Sequence, residues 1–215
     1  CRMSMTLYDL PDKCIVRYHH QLIVGLKEHT AFGMGKEVEN PFDDEILEHK
    51  AFYEIPIVKR MHKKAQMQLG SSGSGNHFVE FGYVDIQHKN NSMNLSIGRY
   101  VAILSHSGSR GLGATIANHY TQIAMQKCQL PRPAKQLAWL DLDSEEGMEY
   151  WISMNLAGDY AQAGNEQIHY CLGKVLGKKP VAKIENHHNF AWKKKQPTGE
   201  ELIVHRKGAT PAAKG

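Results

Sequence analysis

Seven consecutive residues, Ser105-His106-Ser107-Gly108-Ser109-Arg110-Gly111, bring an imidazole, small hydroxyls, a guanidinium and two glycines into one corner of the chain. These types suit a site for phosphate and metal. Imidazole ligates first-row divalent metals, arginine presents a planar fork of donors, and glycine lets backbone N–H groups approach an anion without a side chain in the way. A second histidine lies in Gly73-Ser74-Gly75-Asn76-His77-Phe78-Val79-Glu80, behind a flexible loop, and a third in Glu185-Asn186-His187-His188-Asn189-Phe190. His77, His106 and His188 are far apart in sequence, so any common metal must be assembled by the fold. By chemistry alone either His187 or His188 can be the ligand.

Each candidate also has a plainer reading. The chain holds thirteen histidines, and most, such as His19, His29, His49 and His62, suit ordinary hydrogen-bonded or solvated positions. His77 and His106 stand apart because glycines and small polar residues flank them. Arg110, at the start of an expected helix, can hold a phosphate together with unpaired N–H groups, or it can form a surface ion pair. Arg206-Lys207-Gly208-Ala209-Thr210 has the cationic, small-residue mix of a phosphate corner, a mix also found in solvated loops. The Glu80 carboxylate can accept from the two adjacent N–H donors of a guanine edge, or simply face solvent from a strand.

The elements that must position these residues are partly legible. Residues 76–87 mix aromatic, branched and polar residues in a strand pattern, with His77 and Val79 on one face and Phe78 and Glu80 on the other. Residues 100–104 form a short apolar run suited to a buried strand, and 111–127 read as helix, so His106 is expected in a loop between them. A long helix is expected to begin at Asp143 or Ser144, with Glu146 in its first turn, and to run to about Leu172. Trp151, Ile152, Leu156, Tyr160 and Ala163 form its apolar stripe, beside a polar one of Asn155, Asp159, Gln162 and Asn165. Residues 14–25 suit strand or short helix, 33–45 a surface loop, 43–67 two helical pieces interrupted or started at Pro56, and 181–184 and 201–204 short strands.

Length and composition bound the rest. The 215 residues suffice for one domain of α+β class with a sizeable core. No run of about 18 apolar residues and no signal peptide is visible, which points to a cytoplasmic protein without a membrane partner. Cys1, Cys14, Cys128 and Cys171 form no C-x-x-C pair and imply a reducing compartment. A net charge of +4 favours an anionic partner, RNA or nucleotide, without the strong basicity of a dedicated nucleic-acid domain. The start at Cys1 and the end at Gly215 read as those of a piece cut from a longer protein.

Taken in order, Gly75-Asn76-His77-Phe78-Val79-Glu80, His106-Ser107-Gly108-Ser109-Arg110-Gly111, His188-Asn189 and His205-Arg206-Lys207-Gly208-Ala209-Thr210 resemble the RtcB family of RNA ligases across essentially the whole chain. Cys1-Arg2-Met3 looks like that family's Asp-x-x-Cys metal motif begun at its cysteine. The resemblance implies GTP- and Mn-dependent joining of RNA ends, a 2′,3′-cyclic phosphate or 3′-phosphate to a 5′-hydroxyl, in RNA repair or tRNA splicing. It implies that Cys1 bridges two Mn ions, with His77 on one and His106 and His188 on the other, His188 being preferred to His187 because Asn189 follows it. Asn76, His77, Phe78, Val79 and Glu80, with His188 and Asn189, would bind GTP, and Arg110, Arg206 and Lys207 would hold RNA or phosphate. The guanylylated histidine is expected beyond Gly215 and a metal-binding aspartate before Cys1, so these residues alone are expected to be inactive. The loop Gly70-Ser71-Ser72-Gly73-Ser74-Gly75 is richer in serine than the family pattern. Two alternatives are a metal-dependent phosphoesterase and a non-catalytic RNA-binding protein. An activating protein partner is left open.

Overall fold

The strand that organises the sheet is β1, Arg2–Tyr8, and its sequence does not announce it. Arg-Met-Ser-Met-Thr-Leu-Tyr holds one β-branched residue, yet the segment lies between two other strands and is largely buried. The protein is described from a computed structural model, which covers residues 1–210. After β1 come two short helices, α1 (Cys14–Arg17) and α2 (His19–His29), which decide between the strand and helix readings of 14–25. Residues 43–67 hold a 3₁₀ turn and three short helices rather than two pieces: α3 (Ala51–Glu54), α4 (Pro56–Lys59) and α5 (His62–Gln68). Pro56 starts α4 at its first turn, where the missing N–H costs no hydrogen bond.

β2 (Phe78–Ile86) and β3 (Gly98–Ser107) pair antiparallel and lead into α6 (Arg110–Lys127). β3 runs three residues past the expected Leu104, so His106 lies within the strand, and the loop shrinks to Gly108 and Ser109. The extra length comes from pairing: Ser105, His106 and Ser107 are opposed by Ser4, Met3 and Arg2 of β1. Polar side chains on a strand hide this extension from a hydrophobicity reading.

α7 (Glu145–Leu176) is the long helix. Ser144 caps it by accepting from the Gly147 N–H at 3.1 Å, and it ends at Gly177, whose left-handed φ of 64° closes the C-terminus four residues beyond the expected Leu172. Leu156, Tyr160 and Ala163 of its apolar stripe are buried among Leu69, Leu112 and Ile116 in a core made by helices. Asn165, read as part of the polar stripe, is also fully buried, because it receives a hydrogen bond from β3.

β4 (Ala182–His187) completes a four-stranded antiparallel sheet of order β2-β3-β1-β4. β5 (Asn189–Lys195), a lysine-rich strand with no sequence signal, pairs with β6 (Glu201–Lys207) in a separate hairpin. One sheet face sets Tyr8, Val79, Val101 and Ile103 against Ile168 and Leu172 of α7. The opposite face carries Leu7, Ile86, Tyr100 and Ala102. Among the described residues no helix is long and apolar enough to cross a membrane.

Candidate metal and phosphate site

Register brings the dispersed histidines together. Met3 of β1 faces His106 on β3 and Asn186 on β4, while Phe78 of β2 faces the same His106. Cys1, just before β1, and His188, just after β4, therefore arrive at the sheet end where His106 projects. Cys1 Sγ lies 3.4 Å from His77 Nε2, and His106 Nε2 lies 3.0 Å from His188 Nε2. The ligating atoms of Cys1, His77 and His106 all fall within 4.8 Å of one another.

The protonation pattern fits a cation. His106 Nδ1 donates to the Asn76 carbonyl at 2.6 Å, which fixes the proton there and leaves the Nε2 lone pair aimed at His188. Burial, reinforced by the positive fields of His106 and Arg110, holds His77 down to about 4 and therefore uncharged at neutral pH. His188 is lowered as well, by burial first and then by His106. His77 Nδ1 and His188 Nδ1 are buried without a hydrogen-bond partner. Without a metal these contacts close as hydrogen bonds, His188 Nε2–H donating to His106 Nε2 and Cys1 Sγ pairing with His77 Nε2, and a divalent cation would take the place of those protons. A mixed imidazole and thiolate set accepts Mn, Fe, Co, Ni or Zn.

The two neighbouring histidines separate cleanly. Successive residues of a strand point to opposite faces, and His187 turns to the α7 side, where Arg2 Nη1 donates to its Nε2 at 2.6 Å and Phe190 stacks on its ring at 4.8 Å. Arg2 also donates to Glu185 at 2.7 Å, so His187 sits in a closed polar cluster and His188 faces the other histidines.

The family model described as tRNA-splicing ligase RtcB matches residues 8–215. The chain belongs to the RtcB family. It is 32% identical over 180 residues to the tRNA-splicing ligase RtcB of Thermococcus kodakarensis, covering 73% of this chain and 36% of that protein. It is 32% identical over 181 residues to that of Pyrococcus furiosus, covering 73% of this chain and 18% of the relative. With the Methanococcus maripaludis protein of the same name it shares 33% identity over 167 residues, 70% of this chain and 35% of the other. The chain thus matches little more than a third of these RtcB relatives at most. Cys1 precedes the stretch matched to the RtcB model, so its place rests on the geometry above.

The remaining RtcB-like positions surround this cluster unevenly. Arg110, at a left-handed φ of 51°, is not an open fork: Nε donates to Ser71 Oγ and Nη2 to the Gly33 carbonyl, both at 2.9 Å. It clamps the loops around Gly33 and Gly73. Arg110 still lines a cavity of about 520 Å³ shared with Cys1, His77, Ser74 and Lys64. Lys64, on α5, is a cation at this cavity that sequence reasoning passed over, hidden among the solvated lysines of its helix. Asn76 contributes its carbonyl to His106, and Phe78 meets the His106 ring edge-on at 5.8 Å. The Val79 side chain is buried in the core, whereas Glu80 is exposed on the edge strand β2. Asn189 Oδ1 accepts from the Gly208 N–H at 2.7 Å and ties β5 to the end of β6. Arg206 and Lys207 lie on β6, Arg206 with its guanidinium 5.9 Å from the Trp192 ring centroid.

Proposed function

We propose that this chain carries the metal- and nucleotide-binding part of an RNA ligase, which uses GTP and Mn to join a 2′,3′-cyclic phosphate or 3′-phosphate end to a 5′-hydroxyl end. The observation that carries this reading is the meeting of Cys1 Sγ with His77, His106 and His188 at one end of the sheet of an RtcB-family chain. A cation held there supplies charge neutralisation for a triphosphate and alignment for in-line attack.

The chain's own residues have separable tasks. The Asn76 carbonyl holds the His106 ring in its ligating tautomer, and Arg110 holds the glycine loops against His77. Lys64 supplies positive charge to a phosphate entering the cavity. Glu80 reads the guanine edge from the exposed side of β2, and Asn189, His188 and the basic residues of β6 flank the nucleotide and RNA phosphates. The substrates, RNA ends such as tRNA halves, belong to a cytoplasmic setting.

The test is incubation of these 215 residues, joined to the flanking segments that the resemblance implies, with labelled GTP and Mn, followed by denaturing electrophoresis and an RNA-joining assay. Covalent GMP labelling and joining, both lost in His106→Ala, are expected. A metal-dependent phosphoesterase would bind Mn equally well yet take no label and release phosphate from the RNA end.

A further inference from the structure

A second cleft, of about 450 Å³, opens at the other end of α7, between that helix, the end of β1 and the approach to β4. Its floor is Thr6, Tyr8 and the buried His169. His169 has both ring nitrogens engaged, Nδ1 with Thr6 Oγ1 at 2.6 Å and Nε2 with Ser105 Oγ at 2.7 Å, so the floor presents ring faces together with the Tyr8 hydroxyl. Gly173 keeps it accessible: a Cβ there would stand 2.7 Å from Tyr8 Oη.

The rim is cationic and carries an exposed aromatic. Tyr170 is 60% exposed, with the Lys174 ammonium 4.1 Å from its ring centroid. Lys183 is held by Glu166 at 3.0 Å and by Glu185 at 2.8 Å. Lys178 and Lys179 are exposed and form no ion pair among the described residues. A helix C-terminus favours nearby cations and accounts for Lys174 in the last turn. That effect fades within a turn, and Lys178 and Lys179 lie beyond the Gly177 cap, at the mouth of the cleft.

An exposed ring beside an apolar floor, flanked by unpaired ammonium groups, matches an unpaired nucleotide: the base has a π-face to stack, and the phosphates on either side need cations. An acidic peptide would satisfy the lysines and leave the ring and the floor without a partner. We propose that this cleft binds one nucleotide of a single-stranded RNA, its base on Tyr170 and its flanking phosphates on Lys178 and Lys179. The identity of the polyanion rests on the RNA reading above; the cleft does not share its residues with the metal cluster. Thr6 is five residues along β1 from Cys1, roughly 17 Å at about 3.3–3.4 Å per residue, and lies on the α7 face of the sheet, opposite the face from which His106 projects.

The test is fluorescence anisotropy of a short labelled oligouridylate across a salt series, without metal, with wild type, Lys178→Glu/Lys179→Glu, Tyr170→Ala and the control Lys135→Glu. The double variant is expected to weaken binding about tenfold or more and to flatten the slope of log K against log salt by about 1.4, two phosphate contacts on a single strand. Tyr170→Ala should weaken binding roughly tenfold, and Lys135→Glu, on the exposed 3₁₀ turn Arg132–Leu137 outside the cleft and the cluster, should leave it within about twofold of wild type. Circular dichroism and Mn binding by the cleft variants should match wild type, which separates a local loss from misfolding. Wild-type binding that neither cleft variant alters would overturn the cleft and leave the RNA reading standing. No binding by wild type would remove both. Loss in the lysine variant alone, with tripolyphosphate displacing the RNA and Tyr170→Ala silent, would reduce the cleft to a phosphate site and overturn the nucleotide.

Discussion

Two buried histidine groups share strand β3 and differ in how their nitrogens are satisfied. Around His169 every ring nitrogen has a hydroxyl partner, and Ser105 passes the network on to Asn165 at 2.6 Å. One residue further along, His106 faces His188, while His77 and His188 each leave a buried Nδ1 without a partner. A saturated network locks sheet to helix, whereas one with unpartnered ring nitrogens keeps electron pairs that a cation could use. Burial alone does not separate them, since His106 at 6% and His169 at 4% exposure are equally enclosed. Hydrogen-bond partners do.

The sharpest way to break this comparison is to remove one member from each group. His106→Ala should abolish Mn binding in calorimetry and cost the apo protein only about 1–2 kcal/mol, the hydrogen bond to the Asn76 carbonyl being lost at the end of the sheet. His169→Ala should do the reverse. It strands the Thr6 and Ser105 hydroxyls in the interior and should cost about 3–5 kcal/mol in denaturant unfolding, with Mn affinity in the folded protein changed little.

A pH series sharpens the same contrast. Burial, aided by the Lys183 ammonium, lowers His169 from its ordinary 6.5 to about 4, so between those pH values the unfolded chain binds a proton that the native state refuses. Its contribution is complete above pH 6.5 and disappears as pH falls towards 4, amounting to about 3 kcal/mol at about 1.4 kcal/mol per unit. His77 and His187 are lowered in the same way, so the quantity to measure is the difference in stability-pH slope between wild type and His169→Asn. Equal slopes would mean that His169 is not the group titrating.

Smaller effects probe how the cluster is held. Gly73, at φ +113°, has no room for a side chain: a Cβ would press on the Arg110 guanidinium and approach His77 Nδ1 to 2.6 Å. Gly73→Ala should therefore cost about 2 kcal/mol of stability and weaken Mn binding as well, because the clamp and the ligand move together. At the low end, Glu80→Gln on the exposed edge strand should change stability by no more than about 0.5 kcal/mol. It should nevertheless narrow the preference for GTP over ATP in a competition assay, and an unchanged preference would return Glu80 to the role of a solvated carboxylate.

Much of the candidate site was legible because its histidines sit in unusual company. Glycines and hydroxyls beside His77 and His106 set them apart from the other histidines, and the order of motifs matched the RtcB pattern. The long helix was legible from Ser144 and from a stripe through Leu156, Tyr160 and Ala163, and its end was misplaced only because Gly173 and Gly177 are equivalent on paper. Strands β1 and β5 were missed because Met, Ser and Lys carry little β signal. The hydrogen bonds of Arg110 were not legible, because its partners Ser71 and Gly33 are 39 and 77 residues away in sequence.

What the sequence by itself determined was local: which side chains can bind metal, where helices are capped, and which family the motifs spell. What only the tertiary structure decided was pairing. The antiparallel register of β3 and β4 on β1 carries His106 and His188 to Cys1, and the pleat sends His187 to Arg2 and leaves His188 facing the cluster. Register is a sum of many weak cross-strand choices between distant segments, and side chains alternate with a period of two, so a slip of one residue would exchange the two histidines.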